Sequence, residues 1–322
     1  MTETTAVLLM AYGSPGSLDE VAPYYRDILG GREPTEEQVA ELTERYRRVG
    51  GRTPLLETTR GVAEALQRRL GEAAESRFRV YVGMKHWHPF IAETVQRIAA
   101  EGASRLIAVP MAPHYSKMST DGYRSRVEQA MQSLSASKRL RFVESWHENP
   151  RFSKVGGGEV RQALEGFPTG DDVEVVFTAH SLPRSILRWN DPYPRELNQS
   201  SEAVAREAGV ASWRFAYQSA SQTGRPWLGP DILESLAMLA GEGQTQVLVV
   251  PIGFVSDNLE ILFDIDVEAQ ELAEELGMRL RRTEMLNVSP GFVEALADIV
   301  ANGTAARSSQ STVESDGPSG PG

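Results

Sequence analysis

The feature that most constrains the fold is a regular alternation of short apolar runs with amphipathic stretches along most of the chain. The runs have the length of buried strands, and the stretches between them have helical periodicity. This alternation predicts an α/β fold of parallel sheets flanked by helices. The predicted strands are Ala6–Met10, Arg79–Val82, Leu106–Val109, Val173–Phe177, Phe215–Tyr217 and Val247–Val250, and the predicted helices include Glu36–Val49, Thr58–Leu70, Ala92–Glu101, Arg124–Leu134 and Ile232–Ala240.

Two strands in different halves of the chain continue into similar loops. Val7–Met10 runs into Ala-Tyr-Gly-Ser-Pro, and Val175–Thr178 runs into Ala-His-Ser-Leu-Pro. We therefore expect two related Rossmann-like halves in which Tyr12 and His180 occupy equivalent strand ends and face one cleft. A repeat this weak also arises by chance, because proline often follows an apolar strand.

The domain boundaries follow from where this pattern weakens. We expect an N-terminal α/β domain over 1–146, a C-terminal α/β domain over 147–302 and a disordered tail over 303–322. The tail is rich in Ser, Gly, Pro and Thr and has no aromatic residue, so it has little with which to pack.

Charge and cysteine content exclude several classes of protein. The 322-residue chain has a net charge of −11, which argues against nucleic acid or an anionic membrane as the main partner. It contains no cysteine, so disulfides and cysteine-held iron–sulfur clusters are excluded. No apolar stretch approaches the length of a membrane span, and no basic region precedes the first apolar run, so we expect a cytoplasmic protein.

A row of acidic residues follows the last predicted strand. Glu260, Asp264 and Glu268 recur every four residues and would share one helix face, which a metal ion could stabilise. The alternative is an ordinary solvated face, because the helix is acidic all round. Asp257 and Glu260 have the spacing of a capping box, so the helix is predicted to begin there. Its predicted core stripe is Leu262, Ile265, Ala269, Leu272 and Leu276.

Histidine and arginine provide the other candidate groups. His180 and Glu260 are expected to converge, as ligands for a divalent metal or as a base, although a lone histidine at a strand end is more often structural. His86 and His88 would share a face if their strand continued, but two side chains do not complete a metal site. Arginines cluster around Tyr46, where they would hold ligand carboxylates or merely suit a helix C-terminus. They are Arg45, Arg47, Arg48 and Arg52.

Several longer motifs occur in one order along the chain: LLMAYGSP, RYRRVGGRTPL, VGMKHWHPF, APHYS, TAHSLP with DPYP, WLGPD and GFVSDNLEILFDID. With these motifs, the sequence resembles ferrochelatases over its whole length apart from the tail, most closely the coproporphyrin III type of Gram-positive bacteria. The resemblance implies two similar α/β domains with a porphyrin cleft between them. It also implies insertion of ferrous iron into coproporphyrin III in haem biosynthesis, with release of two protons.

The resemblance also implies roles for individual residues. His180 and Glu260 would be the catalytic, metal-handling pair, and Asp264 and Glu268 would continue the metal site outward, where a hydrated Mg²⁺ could also bind. Iron is a substrate, and no tightly bound cofactor is implied. The implied porphyrin-binding residues are Tyr12, which would approach the iron from the opposite side, and Arg45, Tyr46, Thr53 and Tyr123 near the propionates.

The chain departs from the family pattern at some positions. Asn258 stands where a histidine is usual, and Leu29 and Gly30 stand where close relatives have arginines, which Arg26 or Arg32 could replace. Three alternatives stay open: a ferrochelatase acting on protoporphyrin IX, a chelatase for another metal or tetrapyrrole, and a non-enzymatic porphyrin carrier. Transient contact with neighbouring haem-pathway enzymes is a further expectation.

Overall fold

The protein folds into two parallel β-sheets of four strands, one from each half of the chain. The computed structural model describes residues 4–72, 78–132, 139–170, 172–220 and 224–305. The strands are β1 (Thr5–Ala11), β2 (Phe78–Met84), β3 (Arg105–Pro110), β4 (Arg139–Phe142), β5 (Glu174–His180), β6 (Arg214–Gln218), β7 (Gln246–Val250) and β8 (Arg279–Arg282). Their orders, β2-β1-β3-β4 and β6-β5-β7-β8, are equivalent, and every neighbouring pair is parallel. The predicted fold class is confirmed.

The strands missed by the sequence reasoning are β4 and β8, which lie at sheet edges. Each has four residues, and their sequences, RLRF and RLRR, carry arginines instead of an apolar run. The central strand β1 is different because both of its faces are covered: Val7 and Leu9 join one buried cluster, and Leu8 and Met10 join another. Strands buried on both faces read as continuous apolar runs, whereas short edge strands give no such signal.

Helices cover the sheets, and the five named from the sequence agree with the observed ones to within three residues at each end that the structure describes. The predicted end at Leu134 lies outside the described residues. The observed helices are α1 (Val21–Ile28), α2 (Glu36–Arg48), α3 (Leu55–Gly71), α4 (Ile91–Ala100), α5 (Asp121–Gln132), α6 (Pro150–Leu164), α7 (Tyr193–Ala208), α8 (Ile232–Gly241), α9 (Gln270–Glu275) and α10 (Pro290–Ala305). Short 3-10 segments lie at Leu18–Glu20 and Arg184–Trp189, and a π-helix, Ile261–Ala269, leads directly into α9. No helix in the described part of the chain is long and apolar enough to cross a membrane.

The stretch where the sequence pattern weakens contains helix α6, which begins at an Asn149 cap. This helix packs against α7 and α10, and α10 also packs against α3 of the first half. One apolar cluster consequently runs through both halves and includes Val109, Phe152 and Phe177. A domain boundary at 146/147 therefore remains a proposal. Of the predicted tail, 303–305 belong to α10, and 306–322 lie outside the described residues.

Candidate active site

His180 and Glu260 meet at the carboxyl edge of the second sheet. His180 is the last residue of β5, and Glu260 lies in the first turn of the helix that follows the neighbouring strand β7. Their contact is short: His180 Nδ1 lies 2.7 Å from Glu260 Oε2. A Cβ on Gly253 would lie 2.6 Å from the Cβ of Ala179, so glycine lets the β7 loop approach β5 this closely. The structure thus brings the two predicted residues together.

The capping box predicted from Asp257 and Glu260 is wrong. Asn258 caps the helix instead, because its Oδ1 accepts a hydrogen bond at 3.1 Å from the backbone N–H three residues on. The Asp257 carboxylate accepts hydrogen bonds from Arg282 at 3.1 Å and from Asn287 at 2.7 Å. With the cap supplied by Asn258, the Glu260 carboxylate is available to His180.

The acidic row begins in the first helical turn and continues along a π-helix, in which each residue turns less about the axis than in an α-helix. The buried stripe is accordingly Ile261, Ile265, Ala269 and Ala273. The predicted stripe was wrong at Leu276, which is 37% exposed, while Leu262 and Leu272 are half-buried. Asp264 is only 4% exposed, so the row is not an ordinary solvated face.

Ser219, which the sequence reasoning missed, joins two of these acids. Its hydroxyl lies 3.0 Å from Glu260 Oε2 and also makes a short hydrogen bond with Asp264 Oδ2. One hydroxyl proton cannot serve both carboxylates at once, so the pair is best satisfied when Asp264 carries a proton of its own. Ser219 reaches this position just beyond β6 with a backbone φ of 63°, a conformation that nothing in its local sequence indicates.

The His180–Glu260 pair is polarised. Burial disfavours the imidazolium, but the charge and hydrogen bond of Glu260 outweigh it, so the pKa of His180 is raised above its ordinary value. Burial likewise favours neutral Glu260, but the charge and hydrogen bond of His180 lower the pKa of Glu260 overall. The two shifts favour an imidazolium–carboxylate pair rather than the neutral imidazole that an ordinary pKa would give.

Asp264 and Glu268 behave differently from Glu260. Burial, followed by the negative charge of Glu260, raises the pKa of Asp264 to about 7. Burial also raises the pKa of Glu268, against the charges of Arg45 and Arg48. Arg45 reaches from α2 to within 3.7 Å of Asp264. The acidic row is therefore partly neutral near pH 7 and would ionise fully beside a cation.

Tyr12 forms the opposite wall, at the equivalent end of the first sheet. Its ring is 41% exposed and lies against His86, with the ring centroids 4.6 Å apart. The Lys85 ammonium lies 5.7 Å from the centroid of the Tyr12 ring. Partial burial and the negative charge of Glu260 raise the pKa of Tyr12, so its hydroxyl keeps its proton at neutral pH. The charge of Glu260 acts on Tyr12, so the two side chains lie near each other although they belong to different sheets.

The other predicted porphyrin-binding residues are largely covered. Tyr46, Thr53 and Tyr123 are each at most 7% exposed. The hydroxyl of Ser14 lies 3.1 Å from that of Tyr46 and accepts a hydrogen bond from Thr53 at 2.8 Å. Arg45 is the exception, with 35% of its side chain exposed. Contact between these residues and propionates stays a prediction.

His86 and His88 do not form a metal pair. Strand β2 ends at Met84, so the two rings do not share a face: His86 contacts Asp27, and His88 contacts Glu93. More generally, no group of three His, Asp or Glu side chains within the described ranges is already arranged around a metal position. The metal-binding roles of the acidic row thus remain predictions.

Comparison with known proteins decides the family. The profile described as Ferrochelatase matches residues 4–304. The ferrochelatase of Herpetosiphon aurantiacus is 48% identical over 93% of this chain and 99% of its own length. The coproporphyrin III ferrochelatase of Geobacillus kaustophilus is 38% identical over 92% of this chain and 95% of its own.

The chain belongs to the ferrochelatase family. It is accordingly a metal chelatase, an enzyme that inserts a metal ion into a porphyrin. The structure of SirB from Bacillus subtilis with Fe³⁺ has a TM-score of 0.58, with 10% identity over 93% of this chain and 95% of that one, and this likeness concerns the fold alone.

This ferrochelatase carries no cation at the two positions where arginines were expected. Leu29 is the C-cap of α1, and Gly30 adopts a left-handed φ of 68°. The nearby arginines have protein partners: Arg26 pairs with Glu33 at 2.7 Å, and Arg32 donates to the Leu29 carbonyl at 3.3 Å. Replacement of the missing arginines by Arg26 or Arg32 stays a prediction.

Proposed function

We propose that this ferrochelatase inserts ferrous iron into coproporphyrin III to give the iron porphyrin. The observation that carries the proposal is the His180–Glu260 pair, with its 2.7 Å contact, close enough to Tyr12 for the charge of Glu260 to raise the pKa of the phenol. A flat macrocycle between the two walls would have one face toward a proton- and metal-handling pair and the other toward a phenol. Relatives named coproporphyrin III ferrochelatase, at 34–38% identity, support the choice of porphyrin.

The exposed arginines of α1 and α2 favour a substrate with many carboxylates. Coproporphyrin III has four propionates, whereas protoporphyrin IX has two, with vinyl groups in place of the others. Exposed or half-exposed arginines lie on α1, on α2 and just beyond them: Arg26, Arg32, Arg45, Arg48 and Arg52. Each well-placed contact from such a group to a carboxylate contributes about 1.5 to 3 kcal/mol, and less where water screens it.

Protons and metal would exchange on the same pair of side chains. Insertion replaces the two pyrrole protons by one Fe²⁺, so two protons must leave the macrocycle. In the metal-free protein Glu260 favours the protonated form of His180, because its charge and hydrogen bond raise the pKa of the imidazole. An arriving dication would drive that proton to the water that reaches the half-exposed His180 side chain, since like charges repel at short range. The resulting neutral imidazole can ligate the iron or accept a pyrrole proton, and Glu260 offsets the charge of the metal.

The acids beyond Glu260 would supply the metal. Asp264 and Glu268 extend from the pair toward α2, and both have raised pKa values. A hydrated cation would shift both acids toward their ionised forms and could be held through its water molecules. Ferrous iron awaiting insertion, or Mg²⁺ at an outer position, fits these oxygen ligands.

The macrocycle must bend for the metal to reach the pyrrole nitrogens. In a flat porphyrin the N–H protons lie in the ring plane and block the lone pairs. A cleft that binds the bent form more tightly than the flat one lowers the barrier. We assign this packing role to the opposite wall, where the Tyr12 ring is supported by His86 and Lys85.

Anaerobic incubation with ferrous iron tests the proposal. The protein is mixed separately with coproporphyrin III and protoporphyrin IX at equal, low concentrations, and insertion is followed by absorbance. We expect faster turnover with coproporphyrin III. A preference for protoporphyrin IX would overturn the substrate assignment, insertion of another metal in place of iron would favour a different chelatase, and tight binding without turnover would support the carrier.

A further inference from the structure

The Tyr12 wall contains a carboxylate that the proposed mechanism does not use. Asp27, near the end of α1, lies 59 residues before His86, yet its Oδ1 is 2.7 Å from His86 Nδ1. His86 itself is only 6% exposed. A contact this short between an imidazole nitrogen and a carboxylate oxygen is a strong hydrogen bond.

Arg126 of α5 contacts the same carboxylate. Its Nη2 lies 3.2 Å from the same Asp27 Oδ1 and 3.4 Å from His86 Nδ1. Two tautomers of His86 are conceivable. If Nδ1 lacked a proton it would accept from Arg126, but its lone pair would then face the carboxylate at 2.7 Å, which is repulsive. The shorter distance decides that Nδ1 carries the proton and Nε2 the lone pair.

His86 contacts Tyr12 in two ways, of which the ring contact transmits the constraint on the imidazole. The imidazole lies against the phenol ring, with 4.6 Å between the centroids and a 52° angle between the planes. The backbone N–H of His86 also donates to the Tyr12 carbonyl at 2.9 Å. The alternative support for the phenol, Lys85, is a longer contact of 5.7 Å through a flexible side chain.

We propose that Asp27 is a positioning residue for the Tyr12 wall: with Arg126, it holds His86 in one tautomer and one orientation, and His86 in turn holds the Tyr12 ring toward the iron side of the bound porphyrin. The inference rests on the proposed function, because it assumes that Tyr12 approaches the iron. It adds a carboxylate–imidazole pair to the wall opposite His180. Asp27 does not touch substrate, so its removal should disturb the product more than substrate binding.

The first test needs no turnover. In porphyrin-free protein with ¹⁵N-labelled histidine, His86, assigned with the His86→Gln variant, should have its Nδ1 resonance in the N–H position and its Nε2 resonance in the bare-nitrogen position. Asp27→Ala should move His86 toward a mixture of tautomers, while Asp27→Asn, which keeps an acceptor oxygen, should retain more of the native tautomer. A bare Nδ1 in the wild type would overturn the proposal, and so would an unchanged tautomer in Asp27→Ala.

The second test measures the absorption of iron bound to the Tyr12 phenolate. Ferric coproporphyrin III is added to each variant, and the charge-transfer absorption of phenolate-bound iron is compared with that of the wild type and of Tyr12→Phe. Asp27→Ala should lose at least half of this signature. It should also lower kcat roughly 10-fold, in the range of residues that orient others around a metal, with KM for the porphyrin changed by no more than about 2-fold. Asp27→Asn should recover part of both losses.

Asp19→Ala is the matched control, since it removes an exposed carboxylate from the same half of the protein. A full phenolate signature in Asp27→Ala, or an equal loss in Asp19→Ala, would contradict the inference. A wrong functional assignment would give a different result: the wild type would not insert iron into coproporphyrin III, whatever the tautomer of His86.

Discussion

The two walls of the proposed cleft occupy equivalent places in two similar sheets and each contains a carboxylate–imidazole pair, but their other side chains differ. At the end of β5, His180 joins an acidic row in which charge and protons are shared through Ser219. After β1, Tyr12 lies among an imidazole and cationic side chains, and Lys85 is buried enough that its pKa falls to about 8. Under the proposed function, the difference predicts a division of labour: one wall would handle the dication and protons, and the other would support the ring. A repeated strand end sets where a side chain lies, while its neighbours set what it does.

Glu260→Gln should have the largest effect on iron insertion. It keeps the shape of the side chain but removes the charge that raises the pKa of His180. We expect insertion to fall by about 100-fold or more, in the range of a lost acid–base group. Porphyrin binding, followed by fluorescence, should change little. An insertion rate close to that of the wild type would mean that the acidic wall does not handle the metal.

Asp264→Asn should be milder, because in the proposed mechanism Asp264 would bind the hydrated metal and would not act at the ring. The iron concentration needed for half-maximal rate should rise by roughly 10-fold, equivalent to about 1.4 kcal/mol. Glu268→Gln, one position further out, should raise it less. If Glu260→Gln, Asp264→Asn and Glu268→Gln all lost activity equally, the three acids would form one shared primary site instead of a row.

The pH dependence of Tm should test the raised pKa of Asp264. Because the folded-state pKa of Asp264, about 7, lies above its unfolded value, Asp264 favours the folded state at low pH, and that contribution is lost as pH rises to about 7. An asparagine cannot ionise, so Asp264→Asn should have a higher Tm relative to the wild type at pH 8 than at pH 5. The Tm difference between the two proteins, measured without metal at both pH values, should shrink or reverse on acidification. A difference independent of pH would place the pKa of Asp264 in its ordinary range.

Arg45→Ala should have the smallest effect, on selectivity between porphyrins. Losing one partly exposed cation should narrow the preference for coproporphyrin III by up to about 5-fold, because screened charge pairs contribute about 1 kcal/mol or less. Arg47→Ala is the matched control, since Arg47 lies two residues along the same helix and pairs with Glu44. Equal effects of the two variants would show that helix charge in general, and not Arg45, sets the preference.

Local sequence patterns predicted the frame of this site but not its finer contacts. Apolar runs located the central strands, and strand ends placed His180, Glu260 and Tyr12 correctly relative to the sheets. Other features depend on residues far apart in the chain or on rare backbone geometry. The π-helix departs from the α-helical period, and Ser219 needs a left-handed backbone to reach Asp264. Asp27 of α1 meets His86, just beyond β2, across 59 residues of chain.

The division of labour between the walls is tested most directly by comparing two single substitutions under one set of conditions. Anaerobic insertion of ferrous iron into coproporphyrin III is measured for the wild type, His180→Ala and Tyr12→Phe. We predict that His180→Ala loses insertion while still binding porphyrin, and that Tyr12→Phe still inserts iron but gives a product with an altered visible spectrum. Insertion near the wild-type rate in His180→Ala, or loss of insertion in Tyr12→Phe with His180→Ala active, would contradict the account.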